Sequence, residues 1–261
     1  MVRSTDVDHL LSPQDTVKAL FSDPAFNKAH RLGAVNSINW ARILAQITYY
    51  FHSFLALPKG TTPSYVVPTG NFGDILAGYY AKRLGLPMGK LVVATNENDI
   101  LARFWKTGVY EKSAPGQQVE VKETLSPAMD IMVSSNFERL LWYLAYEAGG
   151  SKSEAEASKT LKGWMDSLKA DGRVDVGQDV LALARRDFLA ERVSDGSTSQ
   201  TIQQYYGASP SYVADPHTAV GLNITQTLLP TLYVGLSPLL ARTSLGADLL
   251  LPAAAPTTTS S

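Results

Sequence analysis

Residues 64–94 constrain the fold more than any other stretch. An apolar run, Tyr65-Val66-Val67, leads into Pro68-Thr69-Gly70-Asn71-Phe72-Gly73-Asp74. Ile75, Leu76, Tyr79, Tyr80 and Leu84 then recur at helical spacing, and Leu91-Val92-Val93-Ala94 forms a second apolar run. Strand, helix and strand in this order make a βαβ unit over residues 65–94, with parallel strands and a right-handed crossover. Asp74 stands where a helix cap would, and Gly85 where the helix would stop. The turn at 69–74 lies beyond the carboxyl end of the first strand, where ligands of open α/β sheets bind. Its glycines can turn backbone amides inward at the positive end of a helix, so a phosphate is the natural guest. Gly70 and Gly73 fit neither the dinucleotide nor the P-loop pattern, and a plain strand-to-helix connection is the alternative.

The stretch Ala34 to Phe51 reads as a helix with two distinct faces. Trp40, Ile43, Leu44, Ile47, Tyr50, Phe51, Phe54 and Leu55 form an apolar stripe, expected to pack in a core. Asn39, Arg42, Gln46 and Tyr49 fall on a second, polar stripe. Such a helix can set its back against a core and its front against a polar ligand. A solvated face is the alternative, although that would more often carry Lys and Glu.

Elsewhere, Val17, Leu20 and Phe21 point to a short helix within residues 13–30. Thr95-Asn96-Glu97-Asn98-Asp99 ends the second strand at the same sheet edge as the glycine turn. Ile100 begins a helix stopped by Gly108, and a loop holds Pro115 and Gly116. Ile131-Met132-Val133 reads as β-like before Ser134-Ser135-Asn136, which caps a helix from Phe137 to Ala148 ended by Gly149-Gly150. Residues 1–150 therefore form a first α/β unit. Residues 151–221 read as a helical insertion to about 193, with Leu181, Ala184, Phe188 and Leu189 on one helical face, and then a return to the α/β domain. Residues 222–261 hold only Arg242 and Asp248 as charges and end in a Pro-, Ala- and Thr-rich run, expected to be a poorly ordered tail. Asn223, Gln226, Pro230 and Pro238 argue against a membrane span there.

With 23 basic against 24 acidic residues, no overall field draws the chain to nucleic acid or an anionic membrane. The lack of cysteine excludes disulfides, thiolate metal sites and cysteine nucleophiles, and no metal site is expected. The first eight residues lack the apolar core of a signal peptide and the character of a transit peptide, which makes the cytoplasm the default compartment.

Five stretches carry a resemblance in series: Asn36-Ser37-Ile38-Asn39-Trp40-Ala41-Arg42-Ile43-Leu44-Ala45-Gln46, Pro68 to Asp74, Ala94 to Asp99, Ser126-Pro127-Ala128-Met129-Asp130, and Asp215-Pro216-His217-Thr218-Ala219-Val220-Gly221. In this order they resemble threonine synthase, in the long form typical of fungi and many bacteria, over about residues 14–221. The resemblance implies the fold-type II architecture of pyridoxal-phosphate (PLP) enzymes, a three-layer αβα arrangement around an open, mostly parallel sheet, here incomplete. It implies a carbon–oxygen lyase that converts O-phospho-L-homoserine and water to L-threonine and phosphate, with PLP as cofactor. It assigns the cofactor phosphate to Gly70, Asn71, Phe72, Gly73 and Asp74, and the substrate to Ser37, Asn39 and Arg42. Arg42 meets a substrate anion on this reading or, alternatively, pairs with an acidic residue inside the fold. His217 matches a family position or serves as a structural histidine.

The family's Schiff-base lysine lies in a Phe-Lys-Asp context upstream of the Asn-Ser-Ile-Asn motif, and no lysine here has that context. The segment facing the pyridine nitrogen, which follows the His-Thr-Ala-Val-Gly motif in the family, is replaced here by the apolar tail. The expectation is therefore a central to C-terminal fragment with no catalytic residue of its own, inactive alone. The alternative is a noncatalytic relative that binds a phosphorylated ligand or a protein partner, and exposed apolar surface is expected in either case.

Overall fold

The computed structural model describes residues 20–21, 23–33, 37–113, 116, 120–149, 153–228 and 234–236, the last three as backbone alone. The helix expected around Val17, Asn36, Pro115, Gly150 and most of the 222–261 tail lie outside these residues.

A four-stranded parallel sheet forms the centre. Its strands are β1 (Ser64–Pro68), β2 (Leu91–Thr95), β5 (Phe188–Arg192) and β6 (Val234–Leu236), in the order β5-β2-β1-β6. Strand alternation divides the core. Tyr65, Val67, Leu91 and Val93 face a large cluster built from α2 (Trp40–Leu55), α3 (Gly73–Arg83), α4 (Ile100–Thr107) and α5 (Phe137–Ala148). Val66, Val92 and Ala94 face the opposite side, where Val220 and Ile224 of α9 (Pro216–Leu228) cover them. Both faces are covered, as the continuous apolar runs of β1 and β2 require. The expected βαβ unit is present: β1 and β2 pair in register with Tyr65 opposite Leu91, and α3 connects them.

A short α1 (Pro24–His30) precedes α2, and an antiparallel ribbon of β3 (Val109–Glu111) and β4 (Arg173–Asp175) closes the outer edge beside α6 (Glu154–Asp171). Helices α7 (Gln178–Asp187) and α8 (Asp195–Tyr206) flank β5.

Four expectations need correction. Phe188 and Leu189 do not continue a helical face. They open β5, because helical spacing through Leu181 and Ala184 runs on into a strand that buries Phe188 and Ala190 at every second position. The segment 151–193 thus ends inside the main sheet. Ile131-Met132-Val133 forms no strand; it follows a 3₁₀ turn at Pro127–Met129. The stripe on α2 is split, with Ile43, Ile47 and Tyr50 buried but Trp40, Leu44 and Leu55 exposed by 46%, 55% and 78%. Finally, the boundary expected at 221/222 falls inside α9, which buries Leu222, Ile224 and Thr225, and Val234–Leu236 pairs with β1.

The close approach of α2 to α3 depends on Gly78. A Cβ there would stand 2.6 Å from Cε1 and Cζ of the Tyr50 ring, so glycine is needed to seat that tyrosine. Tyr50 in turn reaches the site.

Candidate functional site

A cavity of about 500 Å³ opens at the carboxyl end of β1, within the size range of small-ligand sites. Ser37, Arg42 and Gln46 line one side, Gly70 to Ile75 the floor, and Ala128, Met129, Asp215, His217 and Thr218 the other wall. The structure therefore brings together all five residues expected at the cofactor phosphate and two of the three expected at the substrate. Asn39 is the exception: it caps α2, its Oδ1 accepting the Ala41 N–H at 2.9 Å, and it does not line the cavity. A larger depression of about 1010 Å³ runs along α6 past Trp164 and Arg173, but none of the expected residues line it. The smaller cavity, which gathers the expected residues, is the better site.

The floor is shaped by where its carbonyls go. Ser134 Oγ donates to the Gly70 carbonyl at 2.9 Å, and Asn136 donates to that of Asn71 from both its backbone N–H (3.1 Å) and Nδ2 (2.8 Å). Phe72 O accepts the first intrahelical bond, from Leu76 N. With the carbonyls tied back, the helix start presents amides that have no acceptor in the helix itself. Phe72 is in the left-handed region with φ 63°, an uncommon state for a bulky residue, and its ring is buried against Trp105, Phe137 and Phe188.

Asp74 does not cap α3 as expected, since Phe72 occupies the cap position and makes no side-chain cap bond. Asp74 sits instead in the first turn, where Tyr50 Oη donates to its Oδ1 at 3.2 Å and to its backbone carbonyl at 3.0 Å. Burial, and then the Asp74 carboxylate, push the Tyr50 phenol well above its ordinary value, so it remains a donor. This bond holds the carboxylate on the Tyr50 side of α3. Tyr50→Phe is expected to cost about 1 kcal/mol in a urea melt and to weaken anion binding severalfold. A variant that binds anions as tightly as the parent would show that the bond does not shield the site.

The far wall is braced by a polar network. Asp130 accepts from Asn96 Nδ2 (2.7 Å), Asn98 Nδ2 (2.9 Å), Thr124 Oγ1 (2.7 Å) and Thr124 N (2.9 Å). The cluster Thr95 to Asp99 thus buttresses the Pro127–Met129 turn and does not itself line the cavity. His217 Nε2 accepts the Ala128 N–H at 3.2 Å while Nδ1 faces Asp215 Oδ1 at 3.2 Å, which places the imidazole proton on Nδ1. Asp215 also accepts the His217 and Thr218 amides. Burial raises the Asp215 pKa, but the hydrogen bonds from Thr218 and His217 outweigh it and hold the carboxyl below its ordinary value. His217 is therefore both a cavity-lining and a latching residue.

Sequence reasoning missed Ser134 and Asn136 as site residues. Their Ser-Ser-Asn run before an apolar helix is the ordinary signature of a cap, and it conceals the long-range role.

No family model matches the chain. The threonine synthase of Schizosaccharomyces pombe is 57% identical over 218 residues, covering 80% of this chain and 42% of that protein. The crystal structure of threonine synthase from yeast superposes with a TM-score of 0.77 at 50% identity, covering 86% of this chain and 45% of that one. The likeness is to the threonine synthases. A PLP-bound threonine synthase from Brucella melitensis gives a TM-score of 0.70 at 42% identity, over 82% of this chain and 43% of that one. The architecture is accordingly that of fold-type II enzymes, and the chain spans less than half the length of these threonine synthases. Among the described residues, no helix is long and apolar enough to cross a membrane.

Proposed function

We propose that these residues form the PLP-phosphate cradle and one substrate-binding wall of a threonine synthase. The observation that carries the reading is the convergence of Gly70 to Asp74 with Ser37 and Arg42 on one cavity at the carboxyl end of β1. The donor set suits a phosphate monoester: helix-terminal amides, hydroxyls and an arginine, with Asp74 and Asp215 each tied to other donors.

In this role the turn Gly70 to Asp74 holds the cofactor phosphate, and Ser37 and Arg42 meet an anionic group of the substrate. Asn39 acts indirectly, by fixing the start of the helix that carries Arg42. When bound, PLP supplies the electron sink for β,γ-elimination. The overall conversion releases phosphate from Cγ of O-phospho-L-homoserine and adds water at Cβ to give L-threonine. His217 and the Ala128 peptide close the wall against bulk water.

None of the lysines among the described residues lines the cavity. The proposal is that these 261 residues alone hold PLP without covalent attachment and do not turn over. The test is to mix purified chain with PLP and O-phospho-L-homoserine and measure equilibrium PLP binding and phosphate release. Saturable binding without turnover is expected. Phosphate release at ordinary enzyme rates would overturn the inactivity, and lack of PLP binding would overturn the site. The exposure of Ile38, Trp40, Leu44 and Leu55 favours a second reading, in which this segment works against a protein partner.

A further inference from the structure

Asn136 stands at the start of α5 and is fully buried, yet its side chain caps nothing in its own helix. Its Nδ2 reaches two other segments, donating to the Asn71 carbonyl at 2.8 Å in the glycine turn and to the Ser37 carbonyl at 2.9 Å ahead of α2. Its Oδ1 accepts from Arg139 Nη1 at 2.8 Å, and Arg139 Nη2 donates to the Ile38 carbonyl at 2.8 Å. A Cβ placed on Gly73 would lie 3.8 Å from Asn136 Nδ2 and 3.7 Å from Ser37 Cβ, so the amide sits where the cradle meets the entry to α2.

We infer that Asn136 and Arg139 form a positioning clamp that sets the Ser37–Arg42 arm relative to the phosphate cradle. Neither residue lines the cavity, so both act through others. An amide is the group this place needs, because it offers donors from one atom to two carbonyls and an acceptor to the guanidinium. A carboxylate of the same shape would set oxygen against oxygen. At that end α2 starts on the Asn39 cap, with Arg42 N–H bonded to Asn39 O at 3.0 Å, and the two carbonyls before the cap are the ones the clamp takes. Arg42 lies on the first turn, so a shift of residues 37–38 moves its guanidinium against the cradle. For the identity of the two ligands the inference rests on the proposed function; for the coupling it does not.

The test uses backbone hydrogen exchange on the full chain and on Arg139→Gln and Arg139→Lys, first without ligand. Arg139→Gln is expected to speed exchange in residues 40–44 about tenfold while β1 and β2 exchange as in the parent, and Arg139→Lys, which keeps one donor, falls between. With ligands, PLP affinity stays within about twofold in Arg139→Gln because Asn136 still holds Asn71, whereas O-phospho-L-homoserine binds the PLP-loaded variant about tenfold more weakly. Unchanged exchange at 40–44, or an equal loss of both affinities together with a lowered melting temperature, overturns the clamp. If the parent chain takes up no PLP, the site assignment fails, and the ligand-free exchange still decides the clamp.

Discussion

Phe72→Ala is expected to lower stability by about 3–5 kcal/mol and to abolish measurable PLP binding. Phe72 is 1% exposed, its ring 5.3 Å from that of Phe137 in an edge-on contact and 6.2 Å from that of Trp105 in a stacked one. Its backbone is left-handed at φ 63°, which costs a residue with a side chain on the order of 1–2 kcal/mol. Glycine would adopt this conformation freely, so the phenylalanine is there for another reason. Burying the ring in the aromatic cluster of Trp105, Phe137 and Phe188 outweighs the strain and pins the turn from below. Alanine keeps the strain and loses the pin. Phe72→Gly loses the pin but also the strain, and should be more stable than Phe72→Ala by about 1 kcal/mol. Urea unfolding and a PLP titration of both variants check the order. An alanine variant within 1 kcal/mol of the parent would show that the cluster does not anchor the cradle.

The central part of this fold was legible because its signals are local. Two short apolar runs with a helix between them can only pair in parallel, and β1, α3 and β2 appear as read. Of the residues read as a candidate site, Gly70 to Asp74 lie on that unit and line one cavity with Ser37 and Arg42. What failed was long-range. Phe188 satisfied a helical period and a strand period at once, and only pairing with β2 decides between them. Asp74 had the residue type and place of a cap, but the helix starts two positions earlier, with Phe72 at the cap in the αL state, which leaves the Asp74 carboxylate to Tyr50. Asn39 shows the converse: read toward a ligand, its side chain takes the cap of α2 and does not line the cavity. Both readings used the right chemistry for an acceptor at a helix start; spacing alone does not say which acceptor the helix takes. The stripe on α2 was a true period, but periodicity reports that a face is apolar and not what covers it. Trp40 and Leu44 remain exposed, and among the described residues Trp40 makes one ring contact, with the edge of Tyr80 at 5.2 Å.

The two glycines of the turn should respond to alanine with opposite signs in stability, and this separates the glycine the protein needs from the one the ligand needs. A Cβ on Gly70 would lie 2.7 Å from the Ala128 carbonyl and 3.1 Å from Met129 Cα, both backbone atoms. That wall cannot retreat easily, because His217 holds the Ala128 amide and Asp130, next along, accepts four hydrogen bonds. Gly70→Ala is therefore expected to cost about 1–3 kcal/mol and to displace the floor, with PLP affinity falling about a hundredfold. At Gly73 a Cβ would meet Gln46 Oε1 and Ser37 Cβ at 3.7 Å, which is ordinary contact, and φ there is not positive. As a residue of a helix, alanine at 73 should be neutral or stabilising by up to about 1 kcal/mol. Its methyl group would nevertheless stand among cavity-lining side chains at the helix start, where the phosphate is proposed to lie. Gly73→Ala should thus raise or keep the unfolding midpoint while weakening PLP binding at least about tenfold, since a close approach of anion to backbone amides tolerates no added carbon. Unfolding midpoints and PLP titrations on the two variants, side by side, decide the matter. If Gly73→Ala binds PLP as the parent does, the phosphate does not rest on the start of α3, and the cradle must be sought elsewhere on the cavity wall.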